Sequence, residues 1–130
     1  MQEKFNLLKC NICGNIAEIV HTGYGKPVCC EKEMELLENI EVNEDNPHFA
    51  HVEKINEKER RIYFNHEMTK EHLIEFVEVI SNDKQYLKRK YFKIGQTPEL
   101  ILKCDCKEGY FVRVYCNIHN VCTTKNIEEK

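Results

Sequence analysis

From His48 to the end of the chain, apolar residues arrive in short bursts bounded by turn-forming clusters. The bursts read HFAHVEKI from His48, then RRIYF, HLIEFVEVI, QYLKRKYFKI, ELILKC and YFVRVYC; NEKE, SNDK, GQTP and KEG punctuate them. Such runs, rich in β-branched and aromatic side chains, predict strands. Several short strands at this spacing predict a β-sandwich. One stretch, EHLIEFVEVIS, also fits a helical stripe through Leu73, Phe76, Val77 and Ile80. Its β-branched residues and its strand neighbours favour a strand. Residues 1–36 show no such series, only Cys10, Cys13, Cys29 and Cys30 spaced by Gly14, Gly23 and Gly25. A piece below ~40 residues buries too little to fold without a metal or disulfides. Residues 37–47, LENIEVNEDNP, read as an acidic, turn-rich bridge, and Pro47 forces Asn46 out of the helical region. The expectation is an all-β chain: a small metal-stapled domain over 1–36, then a sandwich over 37–130.

A length of 130 residues suits one ordinary domain, or one domain with a small appendage. A net charge of −3 leaves no electrostatic footprint for nucleic acid or for an anionic membrane. No apolar run approaches the roughly 18–20 residues of a membrane span. The start, MQEKFNLLKC, lacks the basic, apolar and small-residue pattern of an export signal. A soluble, cytoplasmic protein is therefore expected, in which eight cysteines point to metal or redox chemistry rather than to a disulfide scaffold.

Two residues separate Cys10 from Cys13, and after fifteen intervening residues Cys29 and Cys30 are adjacent. Two thiols separated by two residues close on one ion in a tight turn, and a second pair completes a tetrahedron. Four sulfurs suit zinc or iron. Zinc there is a structural staple; iron in the same cage passes single electrons. The stretch KCNICGNIAEIVHTGYGKPVCC, with its neighbouring Cys-Cys pair, resembles desulforedoxin, a small iron-tetrathiolate module, and the resemblance implies iron.

Further candidate ligands are His48, His51, His66, His72, Cys116 and His119. A lone histidine is most often a surface or satisfied core residue, but Cys116-x-x-His119 at a strand end is a chelating pattern. With 48–54 as a strand, His48 and His51 point to opposite faces and do not share an ion. Cys116 shares the face of Val112 and Val114 and points inward, so His119 folds back across the following turn. One thiolate among imidazoles suggests a redox metal. Cys104, Cys106 and Cys122 read as small buried or near-surface residues, although Cys122 is available as a second sulfur for a closed zinc site of two cysteines and two histidines.

Taken in order, the desulforedoxin-like cysteines, HFAHVEK from His48, NHEMTKEHLIEFVEV around His66 and His72, and YCNIH ending at His119 resemble the desulfoferrodoxin type of superoxide reductase over nearly the whole chain. The resemblance implies an immunoglobulin-like second domain. It also implies an iron held by His48, His66, His72 and His119 in a plane, with Cys116 on the axis and the sixth position open. The implied reaction reduces superoxide to hydrogen peroxide by one electron. The tetrathiolate iron on Cys10, Cys13, Cys29 and Cys30 then serves as an accessory electron site, fed by a rubredoxin-like protein or a reductase. A homodimer is common among such proteins. This chain departs from the family at one point: Glu-Lys usually precedes the first ligand histidine, and here Asn46 and Pro47 stand there. Without that lysine, superoxide is attracted less strongly and protons come from water or from another residue, with Lys54 and Lys70 as candidates. The same departure supports a rival reading as a non-catalytic iron carrier or a sensor of oxygen or peroxide.

Overall fold

The computed structural model describes residues 2–103, 109–125, 127 and 129. Among these every regular element is a strand, and contacts divide the chain into two compact units, Met1–Glu38 and Asn39–Lys130. Cys104 and Cys106 lie outside the described residues.

In the first unit, β1 (Leu7–Lys9) pairs antiparallel with β2 (Ile16–Glu18). A hairpin of β3 (Val28–Cys29) and β4 (Lys32–Glu33) follows, and β5 (Glu35–Leu36) returns to β1. The core is Leu8, Cys10, Ile19 and Met34, with Ala17 and Cys29 packed against it. Two of these six, Cys10 and Cys29, are candidate ligands, so the small apolar core and the candidate metal cage share residues.

The second unit contains β6 (Asn39–Glu41), β7 (His51–Lys54), β8 (Glu59–Tyr63), β9 (Ile74–Ser81), β10 (Leu87–Tyr91), β11 (Glu99–Lys103), β12 (Tyr110–Cys116) and β13 (Asn120–Thr124). They form a five-stranded sheet in the order β10-β9-β12-β13-β6 and a three-stranded sheet in the order β11-β8-β7. Val52 and Ile62 of one sheet share a core with Val77, Val79, Val112 and Val114 of the other, which is the expected sandwich. Each such side chain contributes about 1.5–3 kcal/mol when fully buried. Lys88 and Lys90 of edge strand β10 donate from Nζ to the carbonyls of Ile101 and Glu99, both at 2.9 Å, occupying acceptors that the β11 edge leaves unpaired.

The ambiguous 72–80 run is a strand from Ile74, and its helical look has a cause. Phe76, Glu78 and Ile80 are buried on one face while Val77 and Val79 are buried on the other, which removes the period-two contrast. Glu78, 0% exposed, is satisfied by Arg89 Nη2 at 2.6 Å and Arg113 Nε at 2.7 Å.

Two expectations need correction. Residues 48–50 are not strand: β7 begins at His51, and His48 sits in the turn before it. The bridge also contains β6, which pairs in parallel with β13 through Ile40 and Cys122. Three residues supported by a distant strand carry no local signal. β13 was hidden for a related reason, because NVCTT abuts the Cys116–His119 motif.

Candidate metal centres

Cys10 directly follows β1, and the chain turns back through residues 11–14 before Asn15 O accepts the Cys10 N–H at 2.9 Å. Gly14 closes this turn with φ +85°, a conformation that favours glycine. The Cys13 N–H reaches Cys10 Sγ at 3.5 Å. Cys29 ends β3, and Cys30 and Glu31 form the two-residue turn into β4, so all four sulfurs gather at two turns.

The four thiols lie within 4.8 Å of one another, with Cys13 Sγ to Cys29 Sγ at 3.5 Å and Cys29 Sγ to Cys30 Sγ at 4.0 Å. Sulfurs about 2.3 Å from one tetrahedral ion sit roughly 3.8 Å apart, which these spacings bracket. The backbone amides of Cys13 and Ile12 pull the Cys10 thiol down to about 6, making it the first thiolate. The Cys13, Cys10 and Cys29 sulfurs push Cys30 up to about 12, and Cys29 shifts in the same direction beside Cys13 and Cys10. Four thiolates this close repel one another, and a bound cation removes that conflict.

The second donor set gathers at one end of the sandwich. The registers His51↔Tyr63 and Cys116↔Ile74 bring together the start of β7, the end of β8, the start of β9 and the end of β12. His48 precedes β7, His66 and His72 lie in the β8–β9 loop, and Cys116 ends β12 beyond a register shift at Tyr115/Cys116. A three-residue turn then carries His119, and Asn120 closes it with φ +59°, a conformation asparagine tolerates.

The four imidazoles form a closed circuit. Ring centroids are 4.7 Å apart for His48–His66, 4.3 Å for His66–His72, 5.0 Å for His72–His119 and 4.9 Å for His119–His48, with His48–His72 at 6.0 Å across. Cys116 Sγ lies 3.5 Å from His119 Nδ1 and 3.9 Å from His66 Nε2. His48 Nε2 and His66 Nε2 are 3.2 Å apart, close to the ~3 Å between neighbouring nitrogens held about 2.1 Å from one ion. His72 Nε2 is buried with no hydrogen-bond partner, an arrangement that costs free energy unless a ligand fills it. The donors therefore fit a metal ion. His48, His66 and Cys116 are buried, His72 is half-buried and His119 is exposed, so solvent reaches the circuit from the His119 side.

Three residues that the pattern of ligands did not reveal orient these rings. Asn46 Oδ1 accepts from the His48 N–H at 2.9 Å and lies 2.7 Å from His48 Nδ1. Glu67 serves twice: its carbonyl oxygen meets His66 Nδ1, and its Oε1 is 2.7 Å from His72 Nδ1. Asn117 braces the loop around His72 through Glu71 and Leu73. With Nδ1 occupied in three rings, Nε2 is the nitrogen turned to the centre. The Asn-Pro dipeptide before His48 is a turn signal legible in the sequence; the roles of Glu67 and Asn117 had none. Burial lowers the pKa of His48 to about 4, with His66, His119 and His72 adding to the effect, and burial lowers that of His66 as well. Both rings are thus neutral donors at pH 7.

His51 stands apart, stacked on Tyr63 at 5.2 Å. Cys122 is a buried β13 residue whose thiol is pushed up by burial and by Cys116.

The profile for the desulfoferrodoxin N-terminal domain matches residues 2–37, and that for desulfoferrodoxin matches residues 44–125. The chain belongs to the desulfoferrodoxin family. A desulfoferrodoxin homolog from Methanothermobacter thermautotrophicus is 35% identical, covering 93% of this chain and 98% of the relative. The desulfoferrodoxin of Syntrophotalea carbinolica is 36% identical, over 93% and 96% of the two chains. In fold, the chain is similar to the superoxide reductase from Treponema pallidum, with TM-score 0.70, 16% identity and coverage of 92% and 97%. A four-cysteine set, and a second set in which His48, His66, His72 and Cys116 place their donor atoms within 4.8 Å of one another with the His119 ring adjoining them, match the two iron sites expected of the family.

Proposed function

We propose that this desulfoferrodoxin is a superoxide reductase, with one iron on His48, His66, His72, His119 and Cys116 and a second on Cys10, Cys13, Cys29 and Cys30. The closed imidazole circuit with a buried thiol against it and solvent access beside His119 carries the reading. Bound there, ferrous iron supplies the single electron by which superoxide and two protons become hydrogen peroxide. The protein's own part is to hold the donors. Asn46 and Glu67 fix which nitrogen His48, His66 and His72 present, and full burial of Cys116 keeps water from its sulfur. A preset donor cage loses little free energy to reorganisation when the metal charge changes.

Access for a small anion lies on the His119 side. Asn46 and Pro47 bring no positive charge to it, and Lys54 is engaged with Glu57 at 3.1 Å. Lys70, exposed two residues before His72, is the cation that this loop contributes. Attraction of superoxide is accordingly weaker than with a lysine beside His48, and water supplies protons. The tetrathiolate iron acts as accessory electron site, a rubredoxin-like protein or a reductase is the donor, and the protein works as a cytoplasmic homodimer. The uncharged Asn46-Pro47 pair favours one rival, an electron carrier or oxygen sensor built on the same donors.

Iron quantification, visible spectra and pulse radiolysis of the reduced protein test the proposal. Two irons per chain, a thiolate band lost in Cys116→Ser, and superoxide decay well above a metal-free control are expected. Two irons without accelerated decay would establish the carrier or sensor reading instead.

A further inference from the structure

Glu67 is the one carboxylate placed on a ring nitrogen of the histidine-rich set among the described residues. Its Oε1 stands 2.7 Å from His72 Nδ1, while its side chain is 58% exposed and that of His72 only 19%. The carboxylate approaches from solvent, and the opposite nitrogen, Nε2, is buried without a partner and faces the centre. Glu67 is also held in place by its own carbonyl, which is occupied by His66 Nδ1. The other orienting groups are neutral: an amide oxygen for His48 and a peptide carbonyl for His66. The His72 ring thus differs electronically from those of His48 and His66.

We infer that Glu67 is a positioning residue that sets the electron-donor strength of His72, lowering the reduction potential of the iron on the histidine-rich set and favouring its ferric state. This rests on the iron reading above. A hydrogen bond from Nδ1–H to a carboxylate shifts electron density toward Nε2, making the ring a stronger donor than one bonded to a neutral oxygen. The nearby negative charge also favours the more positive metal. Both effects stabilise the oxidised ion more than the reduced one. The driving force for giving an electron to superoxide therefore rises, at a site where Asn46 and Pro47 supply no cation to attract it. Exposure of Glu67 limits the charge effect, because water screens it.

Redox titration of the iron-loaded full-length protein, wild type beside Glu67→Gln and Glu67→Ala, tests this. Glutamine keeps an oxygen at the same reach and removes the charge, so a merely structural role leaves the potential unmoved. The expected result for Glu67→Gln is a roughly tenfold fall in ferric over ferrous preference, a rise of about 59 mV for one electron. The midpoint of the tetrathiolate iron in the same molecule stays fixed as an internal control. Glu67→Ala is expected to move the potential the same way and to release iron faster to a chelator. A Glu67→Gln midpoint within about twofold of wild type, or an equal shift at both irons, overturns the inference and leaves the reductase proposal standing. Absence of a second one-electron wave in the wild type overturns both.

Discussion

Asn117 pairs with Leu73 through both its backbone and its side chain: its N–H donates to Leu73 O at 3.2 Å, and its Oδ1 accepts the Leu73 N–H at 3.0 Å. Its Nδ2 also donates to Glu71 O at 3.1 Å. A residue lying between Cys116 and His119 therefore grips the loop on either side of His72, although 44 residues separate the pair in sequence. Each such bond contributes about 1 kcal/mol net, and their shared effect is to keep a loop ligand in place.

Removing that grip is expected to loosen one metal centre and spare the other. Asn117→Ala should raise the rate of iron loss from the histidine-rich set about tenfold, within the range seen when a ligand's outer partner is removed. Chelator challenge followed at the thiolate band measures it. Equal loss from both centres would point to general unfolding.

The turn at Cys30 and Glu31 is strained. Both have positive φ, 53° and 65°, in a two-residue hairpin loop that ordinarily uses Asn-Gly. Glu31→Gly is expected to stabilise the four-cysteine unit by roughly 0.5–1 kcal/mol, since glycine adopts this conformation without a Cβ penalty. Slower metal release from the four cysteines, with Glu31→Ala unchanged, is the result to look for.

The pH dependence of the metal-free protein follows from His48. Its pKa falls to about 4 in the fold, chiefly through burial, from an ordinary value of 6.5. Between those values the unfolded chain binds a proton that the folded chain does not, so stability falls as pH drops from about 6.5 towards 4. His66 shifts the same way. Denaturant titrations at several pH values should show this slope, and His48→Gln should flatten it.

Glu78 offers a contrast between buried and exposed charge. Glu78→Ala leaves Arg113, only 3% exposed, without the carboxylate that holds its Nε, and a loss of about 3–5 kcal/mol is expected. Glu53→Ala, which removes a 3.7 Å surface pair to Arg61, should change stability by less than about 1 kcal/mol. Urea midpoints of the two variants separate the cases.

Both cysteine pairs, the order of the four histidines and the strand runs were legible in the chain because each is a local signal: spacing within a turn, or side-chain type along a run. Strands β6 and β13 were not, since Asn39–Glu41 becomes a strand only by pairing with Val121–Thr123, some eighty residues away. His51 illustrates the boundary. Alternation along a strand was the ground for separating it from His48, yet the strand starts only at His51; His51 lies stacked on Tyr63, outside the donor group. Residue types and spacing offered six candidate donors, and the family resemblance, carried by ordered motifs, implied which four imidazoles and one thiol among them serve together. Which nitrogen each ring presents, which side admits solvent, and which ring faces a carboxylate were decided by tertiary structure, because Asn46, Glu67 and Asn117 act through hydrogen bonds that exist only once the loops have met.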